Sequence, residues 1–366
     1  MKIVLFGPGN SIHMERWIKW FKKRGDELFF ITNISNPNIS KEQIVLPHEN
    51  HRTIPGYFTF RTYQNIKRAK KIVKKIDPDI VHIHYISNYL PYNVDFSPII
   101  SSAWGTDVFR VSRGDYGYKF ALRNINRSEL VTTTSDVLVD LINEKYNYPK
   151  ERILKFSWGI DLDIFYQKNE EEVRKLKKKL EIRDNKTVFI SPRGLNEPYR
   201  PEYVIDSFHK VSKRKNNIHL IVLYGTTRPE RFDAIKNYIQ NLNNPNITLI
   251  DHLLDSNTLS LYYSISDYYI GVPVTDQLSA ALLESMACGC IPIVSDLPPY
   301  GEVIINGKNG YVINAKRKLV DSIEMALDEM DKHDKWRGKN RALISEHHNW
   351  DIQAKMMYSI YNNMIK

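Results

Sequence analysis

The chain has only two cysteines in 366 residues, Cys288 and Cys290, with one glycine between them. Cysteines that close in sequence rarely bridge, and no Cys/His set has zinc-site spacing, so neither a disulfide scaffold nor a structural zinc underlies the fold. Long apolar runs are also missing. None approaches the roughly 20 residues that cross a bilayer. The opening "MKIVLFGPGN" has five apolar residues before Gly7, too few for a secretory leader. These shortages point to a reducing compartment, and the protein is expected in the cytoplasm. Acidic residues are absent from one long segment: "RTYQNIKRAKKIVKK" (61–75) holds seven Lys or Arg and no Asp or Glu. Ile66, Ala69, Ile72, Val73 and Ile76 recur there at helical spacing, which predicts an amphipathic helix with a basic outer face. That face is either a solvated helix surface or a contact for anionic lipid head groups or a polyanionic substrate. No nucleic-acid motif accompanies it, so nucleic acid is not an expected partner.

The composition is 42% hydrophobic and 26% charged, with a formal charge of +10 concentrated in the first 166 residues. The length suits two domains rather than one core. Short β-rich runs alternate with helical patterns: "KIVLF" (2–6), "LFFI" (28–31), "IVHIH" (80–84), "PIISSAW" (98–104) and "LVTTT" (130–134). The alternation restarts after residue 185 with "TVFIS" (187–191), "IHLIVLY" (218–224), "ITLI" (247–250), "DYYIGV" (267–272) and "CIPIVS" (290–295). Crossovers of this length imply parallel βαβ units. The expected fold is α/β, with two doubly wound, Rossmann-like domains facing each other across a cleft. They are placed at 1–165 and 185–346, with the charged segment 169–180 near the linker. Ligands of such sheets bind at the carboxyl ends of the strands.

One carboxylate stands out. Between Gln277 and Ser295 the only ionisable residues besides the two cysteines is Glu284, with Asp276 at the front edge of the segment. "AALLESMACG" reads as a helix with Ser279 as N-cap and Gly289 just past its end. Apolar nearly all round, this helix is expected to be buried, and a buried carboxylate needs donors or a positive partner to stay ionised. Glu284 therefore either pairs with a core arginine or backbone amides, or accepts the two hydroxyl protons of a vicinal diol such as a ribose. The helix start beside it is an anion site.

The segment "DQLSAALLESMACGCIPIVSDLPPYGEVIINGKNGYVI" (276–313) resembles the signature of the family 4 glycosyltransferases, which have the GT-B fold. It carries two acidic residues separated by seven others, a small-residue helix end, an "IPIVSD" strand, a Glu-Val-Ile and a glycine-rich turn, in that order. Further matches are "GPGNSIHMERWIKWFKKRGDEL" at the start, "WGTD" (104–107), "SWGIDLDIF" (157–165), "SPRGLNEPYRPEYVIDSF" (191–208) and "SISDYYIGVP" (264–273). The closing "WDIQAKMMYSIY" (350–361) resembles the C-terminal helix, 350–366 here, that in this fold returns to pack on the first domain.

The resemblance implies a retaining glycosyltransferase. It would move a hexose-type sugar from a UDP- or GDP-linked donor to a hydroxyl of a glycan or lipid-linked saccharide. The second acidic residue of the pair, Glu284, would hold the donor ribose. The first, Asp276, where most relatives have glutamate, would lie by the transferred sugar and act in catalysis. Backbone amides around Ser279 and Ala280 would meet donor phosphates or sugar hydroxyls. Arg193 aligns with the arginine that binds the diphosphate, whose growing charge needs fixed cations. The family's companion lysine is missing, and Arg200 is the candidate substitute. No DxD motif appears, so no metal and no cofactor are expected. In the first domain, Gly9 of the turn Gly7-Pro8-Gly9 would allow close approach of a phosphate or sugar, although a plain tight turn explains it equally well. His13 sits where relatives often carry a histidine. His82 and His84 are expected on opposite faces of strand 80–84, with His84, nearer the strand end, reaching the cleft. Trp104 stands where many members have a histidine that bonds the sugar; it can donate one N–H or stack on a ring. Asp107 either caps the next helix or binds substrate. The basic helix and "HYISNYLPYN" (84–93) suit a lipid-carried acceptor at the inner face of the membrane. The rival readings are a GT-B-fold nucleotide-sugar epimerase and a non-catalytic nucleotide-sugar or polyanion-binding protein.

Overall fold

The structure is a computed structural model that describes residues 1–39, 41–47, 60–225 and 227–365. The chain divides into two compact units, Met1–Trp158 with Ile352–Lys366, and Gly159–Asp351. Each is built on one wholly parallel sheet with helical crossovers.

In the first unit the strands are β1 (Lys2–Phe6), β2 (Glu27–Thr32), β3 (Gln43–Val45), β4 (Ile80–His84), β5 (Ile99–Ser102), β6 (Leu130–Thr133) and β7 (Ile153–Lys155), in the order β3-β2-β1-β4-β5-β6-β7. In the second they are β8 (Thr187–Ser191), β9 (Ile218–Leu223), β10 (Ile247–Ile250), β11 (Tyr268–Gly271), β12 (Ile291–Ser295) and β13 (Tyr311–Ile313), in the order β10-β9-β8-β11-β12-β13. The order reverses between β1 and β4 in one sheet and between β8 and β11 in the other. Such a switch point leaves a crevice beyond the carboxyl ends of the two central strands, the usual ligand site of an open α/β sheet.

The strands read from the sequence agree with ten of these elements to within about two residues. β3, β7 and β13 escaped it. Each has three residues and each lies at a sheet edge, so the alternation is too short to rise above its surroundings. The central strands are buried on both faces, as parallel strands between helices must be. Along β8, Val188 and Ile190 join one core and Phe189 the other; along β12, Val294 joins the first and Ile291 and Ile293 the second. Full burial of each such side chain stabilises by about 1.5–3 kcal/mol. Cys288 and Cys290 are free and buried, and the Cys290 thiol faces the Tyr263 carbonyl at 3.2 Å. The basic helix spans Phe60–Ile76, burying Ile66, Ala69 and Val73 and exposing Lys67, Arg68, Lys70, Lys71, Lys74 and Lys75. No helix among the described residues is long and apolar enough to cross a membrane.

The helix Trp350–Met364 joins the first unit through polar as well as apolar contacts. Tyr361 stacks on Phe21 at 5.7 Å between ring centroids, and its hydroxyl bonds His82 Nδ1. His82 Nε2 meets Ser102 Oγ at 2.7 Å, which meets Thr132 Oγ1 at 2.6 Å. Burial pushes the His82 pKa from 6.5 down to about 3. Between those two values the unfolded chain binds a proton at this site and the folded chain does not, so stability falls as the pH falls from about 6.5 towards 3. The slope is at most about 1.4 kcal/mol per pH unit for the one proton. Urea unfolding followed between pH 7.5 and 4.5 is expected to show this loss, and His82→Gln a shallower one; an unchanged slope would contradict the assignment.

Candidate active site

The second unit collects its charged and polar groups around its own switch point. Arg193 follows β8 by two residues, and Asp276 lies in the loop after β11. Arg193 Nη2 donates to Asp276 Oδ2 at 2.5 Å and Nη1 to Ser279 Oγ at 2.7 Å. The two charged side chains are 19% and 15% exposed. Tyr199, from the turn after β8, lies against the guanidinium, with its ring centroid 4.7 Å from Arg193 Cζ. Burial works against the Arg193 charge, but the Asp276 carboxylate together with Tyr269, Tyr300 and Tyr199 outweighs it and holds the side chain more firmly protonated than a free arginine. Arg193 Nε is buried and has no hydrogen-bond partner in the structure. The guanidinium is therefore a fixed cation with N–H donors, that on Nε among them, still to offer.

Ser279 is the N-cap of helix Ala280–Ala287, and Cys288 and Gly289 (φ +96°) end that helix, as the sequence indicates. The serine side chain, however, makes no bond to its own helix; it serves Arg193 instead. The first amides of any helix lack intrahelical acceptors and lie at the positive end of its dipole. Here they start beside the guanidinium. The helix is less enclosed than its composition suggests. Leu282, Leu283, Ser285, Met286 and Ala287 are buried, while Ala280, Ala281 and Glu284 form a partly exposed face. Positions 280, 281 and 284 share that face because they are three and four residues apart, so the expectation of a buried Glu284 is corrected: the residue is half-buried, about one turn into the helix. The buried Tyr263 hydroxyl has no hydrogen-bond partner, and burial, then the charge of Glu284, raises its pKa well above 10.

Asp276 has a further neighbour that sequence reasoning missed. Tyr300, from helix Pro298–Gly301 after β12, donates its hydroxyl to Asp276 Oδ2 at 2.7 Å. Nothing in the spacing of residues 276 and 300 signals this contact, which depends on β11 and β12 being neighbours. Arg200 does not join the group. It has a left-handed backbone (φ +55°), and its guanidinium lies over the Tyr203 ring at 4.1 Å. Among the described residues no group of three or more His, Cys, Asp or Glu could hold a metal ion.

The first unit gathers His13, His84, Trp104 and Trp158 at the carboxyl ends of its strands. Trp158 packs against His13 at 4.9 Å and edge-on to Trp104 at 5.0 Å, and His84 lies 6.2 Å from Trp104 and 6.1 Å from Trp158. Trp158 is a second omission of the sequence reading, visible there only as part of "SWGIDLDIF". His82 and His84 do not point to opposite faces. Their rings stack at 4.0 Å, because side chains two apart on a strand share a face. Burial, with Arg16 second, pushes the His13 pKa from 6.5 down to about 3, and burial holds His84 well below its ordinary value, so both rings are neutral. Both ring nitrogens of His84, Nδ1 of His13 and Nε1 of Trp104 are buried without a hydrogen-bond partner in the structure.

Asp107 has a tethering role. Its carboxylate accepts from the Ile86 amide at 2.6 Å and the Trp104 amide at 2.9 Å, joining the loops after β4 and β5; burial raises its pKa to about 7 despite these bonds. Gly9 has a packing reason of its own. A Cβ there would collide with the Ile34 carbonyl, and the Gly9 carbonyl accepts from Asn36 Nδ2 at 2.8 Å.

Comparison with known proteins places these two units. Residues 172–343 match the family Glycosyl transferases group 1, and residues 2–135 match the family Glycosyl transferase 4-like. N-acetyl-alpha-D-glucosaminyl L-malate synthase of Bacillus anthracis is 23% identical over 367 aligned positions, covering 95% of this chain and 92% of that protein. A glycosyltransferase from Rickettsia africae has the same fold, with a TM-score of 0.83 at 17% identity over 100% of this chain and 98% of that one. Anabaena HepE, solved in complex with UDP-glucose, has a TM-score of 0.80 at 12% identity, over 99% of this chain and 100% of that one. With its two parallel-sheet domains matched in turn by the two families, the chain belongs to the group 1, family 4-like glycosyltransferases.

Proposed function

We propose that the protein is a retaining glycosyltransferase that moves a hexose from a UDP- or GDP-linked donor to a hydroxyl of a glycan or lipid-linked saccharide. The observation that carries this reading is the cation at the switch point of the second unit: Arg193, fixed by Asp276 and Ser279 beside the start of helix Ala280–Ala287. Two similar proteins lend it support, since one is named as an N-acetyl-alpha-D-glucosaminyl L-malate synthase and another was solved with UDP-glucose. The bond between the anomeric carbon and the diphosphate oxygen breaks. Arg193 and the helix amides take up the charge that grows on the leaving diphosphate. The acceptor oxygen bonds the anomeric carbon from the face the phosphate vacates, and its proton passes to a phosphate oxygen. Asp276 orients the sugar and stabilises positive charge at the anomeric carbon. Because the arginine is held protonated, the leaving charge is met without a bound metal, and chelation by EDTA is expected to leave the rate unchanged.

Labelled UDP- and GDP-hexoses incubated with glycan and lipid extracts test the reading. Label transferred into the extract supports it. Conversion of the free nucleotide sugar would indicate an epimerase instead. Binding without turnover, unaffected by Asp276→Ala, would leave only a binding protein. The exposed basic face of helix Phe60–Ile76, with Phe60 74% exposed at its start, supports an acceptor carried on an anionic membrane; failure to float with anionic liposomes at low salt would remove that element.

Glu284 is assigned to the donor ribose. Hydrogen bonds from a diol to a carboxylate are worth about 1.5–3 kcal/mol each, and the pair about 3–6 kcal/mol, so Glu284→Ala is expected to raise the donor KM by about 10²- to 10⁴-fold with a smaller change in kcat. The sharper measurement compares ribose and 2′-deoxyribose donors. The wild type should prefer ribose and the variant should not; a preference that survives in the variant would remove the assignment.

A further inference from the structure

We infer that Tyr300 is a positioning residue for the transfer, its hydroxyl fixing the Asp276 carboxylate so that one lone pair on Oδ1 stays turned to the donor sugar. The inference rests on the role of Asp276 given above. A carboxylate has about four acceptor positions. Three are taken within the protein: Arg193 Nη2 at 2.5 Å and Tyr300 Oη at 2.7 Å on Oδ2, and the Gln277 amide at 2.9 Å on Oδ1. The fourth, on Oδ1, is the one a sugar hydroxyl can use. With Arg193 on Oδ2 and only the adjacent Gln277 amide on Oδ1, the carboxylate keeps some freedom to turn about its last bond. A second donor on Oδ2, arriving from a different strand connection, removes that freedom.

Tyr300 is built to do this. It is 1% exposed, and its helix opens with Pro298 and Pro299 after the extended Leu297. Its amide donates to the Leu297 carbonyl at 2.9 Å, and its own carbonyl accepts from the Ile304 amide at 2.8 Å. The backbone is thus held on both sides, and the phenol has little room to swing. Burial, then the neighbouring Tyr269 and the Asp276 charge, raise the Tyr300 pKa well above 10, so the hydroxyl keeps its proton and is the donor in this bond. A buried tyrosine needs a partner in any case, so the test has to separate packing from positioning.

Tyr300→Phe keeps the ring and removes one donor. With the nucleotide sugar that the wild type turns over, kcat is expected to fall about 10- to 100-fold, the range of one hydrogen bond to a charged group. The UDP dissociation constant by calorimetry and the melting temperature should stay close to wild type. In an Asp276→Asn background the same change should cost nothing further, because a residue acting only through another has no effect once that one is disabled. The inference is overturned if Tyr300→Phe keeps the wild-type kcat while Asp276→Asn is inactive, or if the two losses multiply. Should Asp276→Asn itself transfer at the wild-type rate, the reading of Asp276 falls first and the inference with it. If Tyr300→Phe does not fold, Tyr300→His takes its place, since it keeps a ring N–H donor. A folded Tyr300→His more active than Asp276→Asn supports the inference, and one no more active counts against it.

Discussion

Replacing Arg193 by methionine is expected to lower kcat by about 10²–10³-fold, the usual cost of removing one fixed donor to a developing negative charge. It should also weaken binding of the free nucleoside diphosphate. Methionine approximates the length of the side chain without its charge, so the cavity left is small. Asp276 keeps the Tyr300 hydroxyl and the Gln277 amide as donors, which limits the stability cost of leaving a carboxylate without its cation. Arg193→Lys is the informative companion. A lysine is a single point of charge and cannot span Asp276 and Ser279 as the two ends of the guanidinium do. Restored nucleotide binding with kcat still low would show that the fork geometry matters beyond the charge. Steady-state kinetics with calorimetry of UDP binding decides this, and a wild-type kcat in Arg193→Met would remove the arginine from the mechanism.

Asp276→Ala is expected to divide the same two quantities differently. Transfer should fall by at least about 10²-fold, because the sugar loses the carboxylate that orients it and balances its positive charge. Binding of free UDP or GDP should hold or tighten. The reason is electrostatic: Asp276 occupies one end of Arg193 at 2.5 Å and offsets its charge, and without it the guanidinium is fully available to a diphosphate. A variant that binds nucleotide as well as the wild type and does not transfer would confirm separate roles for two residues that touch. Equal losses of binding and rate would instead make the ion pair a structural unit.

Much of this site is legible in the sequence because it is local. Ser279 as N-cap, Gly289 beyond the helix end and the placement of Asp276 and Glu284 all depend on one loop and one helix, within reach of spacing and capping arguments. Arg193 is indicated by the family resemblance, and its place just after a strand agrees with that role. What escaped is what tertiary neighbours supply. Tyr300 reaches Asp276 only because β11 and β12 pair in parallel, and Tyr199 covers Arg193 through a turn whose conformation no local pattern gives. The exposure of Glu284 was misjudged because composition does not tell which stripe of a short apolar helix its neighbours leave uncovered. The misplacement of His82 and His84 was different: strand periodicity alone puts both on one face, and their 4.0 Å stack follows from it.

The docking of residues 352–366 onto the first unit sets an order on synthesis. The ribosome delivers β1 to β7 first, yet Tyr361, the partner of His82 and Phe21, emerges only after the whole of residues 159–351 has been made. At about 5–20 residues per second that interval lasts about 10–40 s. Throughout it the nascent first unit has its strands but leaves uncovered the apolar and imidazole surface that the last helix will seal. The second unit, continuous in the chain, has no such wait. Of the two units, the one begun first is therefore completed last.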